Sequence, residues 1–217
     1  MSASERWRRS RDSPGDLGAP VPFSGNLRVL RRSLRISSCA LFTCVAVISA
    51  ADLMIWLCEP PVGVQALFDE PAHAATAFLA LGTVAVAVEA PVVLAVLAGS
   101  VLIDMDHVPG LLGSDVLQHA TPRPYTHSLL TLIVVIGAVL LVPHPKRKLL
   151  IVAALALVLH FFRDMAEPGG AGVALLWPIS NRAYNVGYGW YAAVIGLLAA
   201  IGLATRAAPS ARPRPIE

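Results

Sequence analysis

The sequence predicts an all-α protein, a polytopic bundle of about six membrane-crossing helices, several of them short. Three observations lead there. Hydrophobic residues fill 56% of the 217 positions and charged residues only 14%, where an ordinary soluble domain carries about a quarter. The apolar residues gather into runs at roughly 36–57, 73–88, 91–103, 127–142, 149–163 and 189–204, and most Lys and Arg residues lie outside those runs. The three cysteines, Cys39, Cys44 and Cys58, form no CxxC pair, so neither a disulfide framework nor a thiolate zinc site competes with the membrane reading.

Residues 1–35 hold eight arginines among Pro, Ser and Gly, which reads as a basic, disordered cytoplasmic tail. The tail is too long and irregular for a secretory n-region, and no small-residue cleavage site follows the first apolar run, so that run reads as a retained anchor. Residues 36–204 then form the membrane domain and 205–217 a second disordered cytoplasmic tail. The formal net charge of +3 reports the positive flanks of membrane helices and gives no reason to invoke nucleic acid.

A full crossing takes about 20 residues, which the first run supplies. The shorter runs imply helix ends that continue into the interface, or a thinner bilayer. Residues 73–103 read either as one kinked span or as two short ones broken at Glu89-Ala90-Pro91, where proline disfavours helix at the residue before it. Cation counts separate the two. Six spans with a cytoplasmic N-terminus put 14 Lys and Arg inside and leave Arg123, Arg163 and Arg182 outside; five spans give 11 against 6. The positive-inside rule prefers six and keeps five as the alternative.

The stretch VLIDMDHVPG, residues 101–110, puts Asp104, Asp106 and His107 at the end of an apolar run, where charge is costly. With six spans, four helix ends deliver His73, this trio, His127, and His160 with Asp164 to one outer face. His160 and Asp164 are four apart and share a helix face. Asp104 and Asp106 both point inward only where the chain leaves the helix, and Pro109-Gly110 predicts that exit. Taken singly, each reads as an interfacial residue bonded to headgroups or water; taken together they read as a site for a divalent ion. Imidazole with carboxylate suits Zn²⁺ or another first-row metal. His119 and His144 read as solvated loop residues, Asp115 and Glu167 as exposed, and Asp52 either as paired with another helix or as lying near the outer end. Trp177, Tyr184, Tyr188, Trp190 and Tyr191 read as an interfacial belt.

The stretches GSVLIDMDHVPG, RPYTHSLLTL and LHFFRDMAEPGGAGVALLWPIS, with His73 upstream, resemble the bacterial inner-membrane family of YdjM-type, membrane-bound metal-dependent hydrolases. Ile103 departs from that pattern, standing where the family often has Pro. More distantly, the order His, Asp, His, HxxxD is similar to zinc-dependent phospholipase C and P1-type nucleases, although a second HxxxE pair is missing. The resemblance implies hydrolysis at the outer face of the inner membrane, with a phosphoester of a lipid or lipid-linked molecule as substrate. It implies His73, Asp104, Asp106, His127, His160 and Asp164 as ligands of one or two ions, Zn²⁺ or alternatively Mn²⁺. His107 is then a ligand or general base, Arg123 a phosphate-holding residue, and Ser128 a hydrogen-bonding support beside His127. The rivals are a non-enzymatic sensor or carrier of divalent metal, which needs polar residues at mid-span, and an interaction protein with structural histidines. No oligomeric state is implied.

Overall fold

The computed structural model describes residues 33–144 and 146–207; the expected tails lie largely outside them. Six helices of more than two turns make up the bundle. α1 (Ser38–Cys58) starts where the Ser37 side chain accepts the Ala40 amide and ends at Glu59, which takes a left-handed conformation ahead of Pro60-Pro61. α2 spans Val62–Val84 and α3 Ala90–Ser100. A 3₁₀ turn (Leu102–His107) and the single turn α4 (Val108–Leu111) continue from α3. α5 (Leu129–Leu141), α6 (Arg147–Ala166) and α7 (Tyr188–Ala207) follow.

The break expected at Glu89-Ala90-Pro91 is present: α3 opens with Pro91 in its first turn, where the missing amide hydrogen costs nothing. The second helix differs from its apolar run. It begins at Val62, well before His73, and stops at Val84, because residues 87–89 form a strand (β2) that pairs antiparallel with 33–35 (β1). Hydropathy could not mark the first half of α2, which carries Gln65, Asp69, Glu70 and Pro71. Four stretches are long and apolar enough to cross a membrane: α1, the continuous run Ala90–Leu111, α6 and α7. With α2 and the shorter α5 they form a helical bundle whose outer surface is rich in exposed Leu, Ile and Val.

Helices in lipid gain little from hydrophobic burial against one another, so close packing of small residues carries the contact. Gly99 on α3 lies so near α6 that a Cβ there would collide with the Ala153 carbonyl oxygen. Ala77, Val96 and Ala156 close the core between α2, α3 and α6. Leu41, Ile48, Ala75, Leu79, Tyr191 and Ile195 fill the space between α1, α2 and α7.

The two ends of the bundle differ in chemistry. At one end Arg206 donates to the carbonyls of Ile36 (2.7 Å), Gly82 (2.7 Å), Gly202 (2.6 Å) and Ala85 (3.2 Å), tying α7 to the strand-bearing connection. At the other end two long loops, 112–128 and 167–187, lie against each other, with Tyr125 stacked on Trp177 at 4.4 Å.

Gly99→Ala should therefore cost roughly 2–3 kcal/mol of stability, because the clash is with backbone that has no rotamer to yield. Gly137→Ala, with nothing near the added methyl, should leave stability close to wild type. Thermal midpoints in detergent, read by fluorescence-detected size exclusion, check the pair; equal midpoints would contradict the close α3–α6 approach.

Candidate metal centre

All six long helices bring an end to the loop-covered pole, and the polar residues gather there. α1 contributes Asp52, α2 contributes Asp69, Glu70 and His73, and the 3₁₀ turn contributes Asp104, Asp106 and His107. His127 lies in the loop ahead of α5, α6 contributes His160, Arg163 and Asp164, and α7 contributes Tyr188 and Tyr191. The 3₁₀ turn is the exit that Pro109-Gly110 forecast, and it points Asp104 and Asp106 at the same histidine.

His160 is fully buried, and its Nδ1 lies 3.0 Å from the Ser100 carbonyl. A carbonyl only accepts, so Nδ1 carries the proton and Nε2 is left as a lone pair facing inward, the arrangement that orients a metal-binding imidazole. That Nε2 is 3.0 Å from His127 Nε2, 3.2 Å from Asp164 Oδ2 and 3.5 Å from Asp104 Oδ1. His127 Nε2 is 3.1 Å from Asp104 Oδ1 and 3.4 Å from Asp164 Oδ2. Ligand atoms about 2.0–2.1 Å from a tetrahedral ion stand roughly 3.3 Å from one another, so these spacings suit a shared cation.

The centre extends to either side. His73 stacks on His160 with ring centroids 4.0 Å apart, and its Nε2 lies 3.2 Å from Asp164 Oδ1 and 3.4 Å from Asp69 Oδ2. On the other flank His127 Nδ1 is 3.3 Å from Asp106 Oδ2, and His107 Nε2 is 3.5 Å from Asp104 Oδ1. All six residues expected as ligands are thus brought together, in overlapping groups that could hold an ion. Asp104 and Asp164 are shared between groups.

The donor set fits a cation on two counts. Buried polar atoms are nearly always hydrogen-bonded, yet both oxygens of Asp106 and Asp164, both ring nitrogens of His73, and His107 Nε2 are buried without a hydrogen-bond partner. The charge is also lopsided. Asp52, Asp69, Glu70, Asp104, Asp106, Asp164 and Glu167 gather around two buried guanidinium groups, Arg123 and Arg163. Arg163 takes Asp52 and Asp69, each at 2.8 Å, and Arg123 takes Glu167 at 2.6 Å and Asp164 at 3.3 Å. Glu70, Asp104 and Asp106 are left to the histidines and to whatever cation binds.

His127 registers that field. Burial alone would lower its pKa, but the adjacent carboxylates of Asp104 and Asp106 and the charge of Asp164 outweigh burial and hold it up at about 9. Glu167 is pushed up by its own burial and by the Asp69 charge, against the pull of Arg123.

Several residues differ from their sequence reading. Glu167, expected in solvent, has a side chain only 4% exposed, bonded to Arg123 and to the Gln65 amide. Tyr191, expected in the aromatic belt, is buried and bonded to Thr76 (2.6 Å) and Arg163 (3.1 Å). Tyr188 donates to Asp52 at 2.9 Å, so the pairing considered for Asp52 is with α7 and Arg163. Trp190 is exposed and suits the belt, and Asp115 and His119 are exposed and paired with each other at 3.0 Å. Ser128 is buried, but its Oγ has no hydrogen-bond partner. Asp69, Glu70 and Arg163 were not anticipated as part of the site. The signal for Asp69 is its place one helical turn before His73, whereas in the sequence Arg163 stands out only as a cation beside the HxxxD pair.

Beside the cluster opens a cleft of about 840 Å³, whose lining includes the polar His107, Arg123, Glu167 and Gln65 and the apolar Ile55, Trp56, Leu111 and Pro122.

Fold and site together define a multi-pass helical membrane protein with a buried His/Asp cluster at one pole whose spacing could hold a metal ion. The chain belongs to the YdjM inner membrane protein family, whose model matches residues 69–215 and so takes in every candidate ligand. No curated protein and no solved structure matches the chain.

The raised pKa of His127 sets a pH dependence for chelator-treated protein. A folded pKa above the unfolded value of about 6.5 gives stability that is full below that value and is lost as pH climbs through about 9. The thermal midpoint in EDTA should fall between pH 6.5 and 9, and less steeply in His127→Gln. A midpoint that rises over this interval would contradict the assignment.

Proposed function

We propose that the protein is a membrane-embedded, divalent-metal-dependent hydrolase acting on a phosphoester of a lipid or lipid-linked molecule. The observation that carries this reading is the cleft: it touches the edge of the His/Asp cluster through His107, presents Arg123, and has apolar side chains in its lining. The ion is Zn²⁺, with Mn²⁺ as the alternative given the carboxylate-rich donor set, and one or two ions are accommodated by the two flanks of the cluster. When bound, such an ion supplies Lewis acidity toward the phosphoryl oxygen and activates water near neutral pH.

The chain's own residues supply the rest. His73, Asp104, Asp106, His127, His160 and Asp164 hold the metal, with Ser100 fixing the His160 tautomer. Arg123 binds a phosphoryl oxygen with its planar fork, exchanging its contact with Glu167 for the substrate. His107, whose side chain is partly exposed at the cleft edge while its Nε2 faces Asp104, serves as a further ligand or as the general base.

Topology supports action at the outer face. Lys146, Arg147, Lys148 and Arg206 stand at the helix ends remote from the site, and the two guanidinium groups nearest the cluster are consumed in ion pairs. Positive-inside orientation then turns the site outward from the bacterial inner membrane. A carrier of metal is disfavoured, because the described core toward the far end is Leu41, Leu79, Ala77, Val96 and Ala156, which offers no polar path.

Elemental mass spectrometry of detergent-purified protein tests the reading beside His160→Ala and Asp106→Ala. About one or two equivalents of transition metal are expected in wild type, with loss in both variants and with phosphate or headgroup release from phosphoester lipids by wild type alone. Protein that takes up no stoichiometric metal after zinc or manganese is added back would sink the hydrolase reading.

A further inference from the structure

The cleft has an apolar neighbour that the metal chemistry leaves unexplained. A second concavity, of about 490 Å³, runs between α1 and α7, lined by Ser49, Asp52, Leu53, Trp56, Pro168 and Tyr188. Trp56 and Pro168 line both spaces, so the groove meets the polar cleft at the Trp56 indole. From Trp56 back to Ser49 the groove follows α1 for seven residues, about 10 Å toward the middle of the bundle. Leu53 is 52% and Trp56 64% exposed, so the groove is open on its lipid side. Its one carboxylate does not make it polar: Asp52 is buried, with one oxygen accepting from the Tyr188 hydroxyl and the other paired with Arg163.

The continuity of the two spaces selects the occupant. A path that begins in the hydrocarbon layer, passes an indole, and ends beside His107, Arg123 and Glu167 matches one molecule with an apolar chain and a polar phosphorylated head. A water-soluble phosphoester would need the cleft alone. An ordinary bilayer lipid packed on the outside of α1 would have no reason to end at a guanidinium group.

We propose that the α1–α7 groove holds the apolar chain of the lipid whose head occupies the His107–Arg123 cleft, so that this substrate enters sideways from the bilayer. The identity of the head as a reacting phosphoester rests on the hydrolase reading; occupancy of the groove does not.

The test uses the full chain in phosphatidylcholine vesicles containing a phosphatidic acid with a diazirine on its acyl chain. After irradiation, peptide mass spectrometry locates the label. The expected result is labelling of Ser49, Leu53, Trp56 and Tyr188 several-fold above Ile133 and Val134, which face outward on α5. Unlabelled phosphatidic acid should chase that label and added phosphatidylcholine should not. Ser49→Trp and Leu53→Trp, which fill the groove, should abolish it while metal content and thermal midpoint stay at wild type. Label spread evenly over the lipid-facing helices, label undiminished by either filling variant, or label chased equally by both lipids would overturn the proposal. Selective labelling of a protein without metal would keep the groove and discard the hydrolase; even labelling of a metal-loaded, active protein would do the reverse.

Discussion

Seven carboxylates gathered at one pole of an apolar bundle must be neutralised, and most of the architecture at that pole follows from how. Burying an unpaired charge costs several kcal/mol even after local relaxation. Arg163 answers for two of the seven. It stands one residue before Asp164, about 100° around the helix, so α6 turns Asp164 toward the histidines and Arg163 toward Asp52, Asp69 and Tyr191. One guanidinium group thereby joins α1, α2, α6 and α7. Arg123 serves Glu167 and Asp164 from the loop above. Asp104 and Asp106 are reached by neither cation, and with the histidines and Asp164 they form the part of the cluster suited to a metal.

Packing and chemistry are linked through a short chain of causes. The absence of a side chain at Gly99 lets α3 close on α6. That approach sets the Ser100 carbonyl against His160, the carbonyl fixes the His160 proton on Nδ1, and Nε2 is thereby presented to His127, Asp104 and Asp164. The α-helix then ends, and the 3₁₀ turn delivers two aspartates spaced too closely for one α-helical face. Pro109 and Gly110 lie beyond that turn, in α4, so the change from α to 3₁₀ comes nine residues before the proline. The ligands are thus aimed by backbone as well as by side chains: Gly99 and Ser100 on α3 set the orientation of His160 on α6.

The sequence discloses the parts of this arrangement that hydropathy and helical spacing govern. The break before Pro91, the HxxxD pair on α6 and the convergence of His73, Asp104, Asp106, His127, His160 and Asp164 were all legible, because each is set by a local rule or by alternation of helix direction. Residues whose role depends on packing were not. The polar first half of α2 looks like loop to a hydropathy reading, so Asp69 and Glu70 were passed over even though Asp69 sits one turn from His73. Glu167 follows a helix end and looks solvated until the 112–128 loop brings Arg123 down upon it. Tyr191 resembles its exposed neighbour Trp190, and only the helix face it occupies separates a core hydroxyl from an interfacial ring. The β1–β2 pair had no signal in alternation, since each strand is three residues long.

The central claim is that the cluster is a metal centre built from imidazole and carboxylate alone. X-ray absorption at the metal K-edge of the purified, metal-loaded protein tests it most directly. The account predicts a first shell of nitrogen and oxygen only, at about 2.0–2.2 Å for zinc, with the outer-shell scattering of imidazole, weakened in His127→Ala and His160→Ala. A first shell containing sulfur, or one unchanged by both substitutions, would mean that the metal binds elsewhere and that the pole holds a structural ion-pair network.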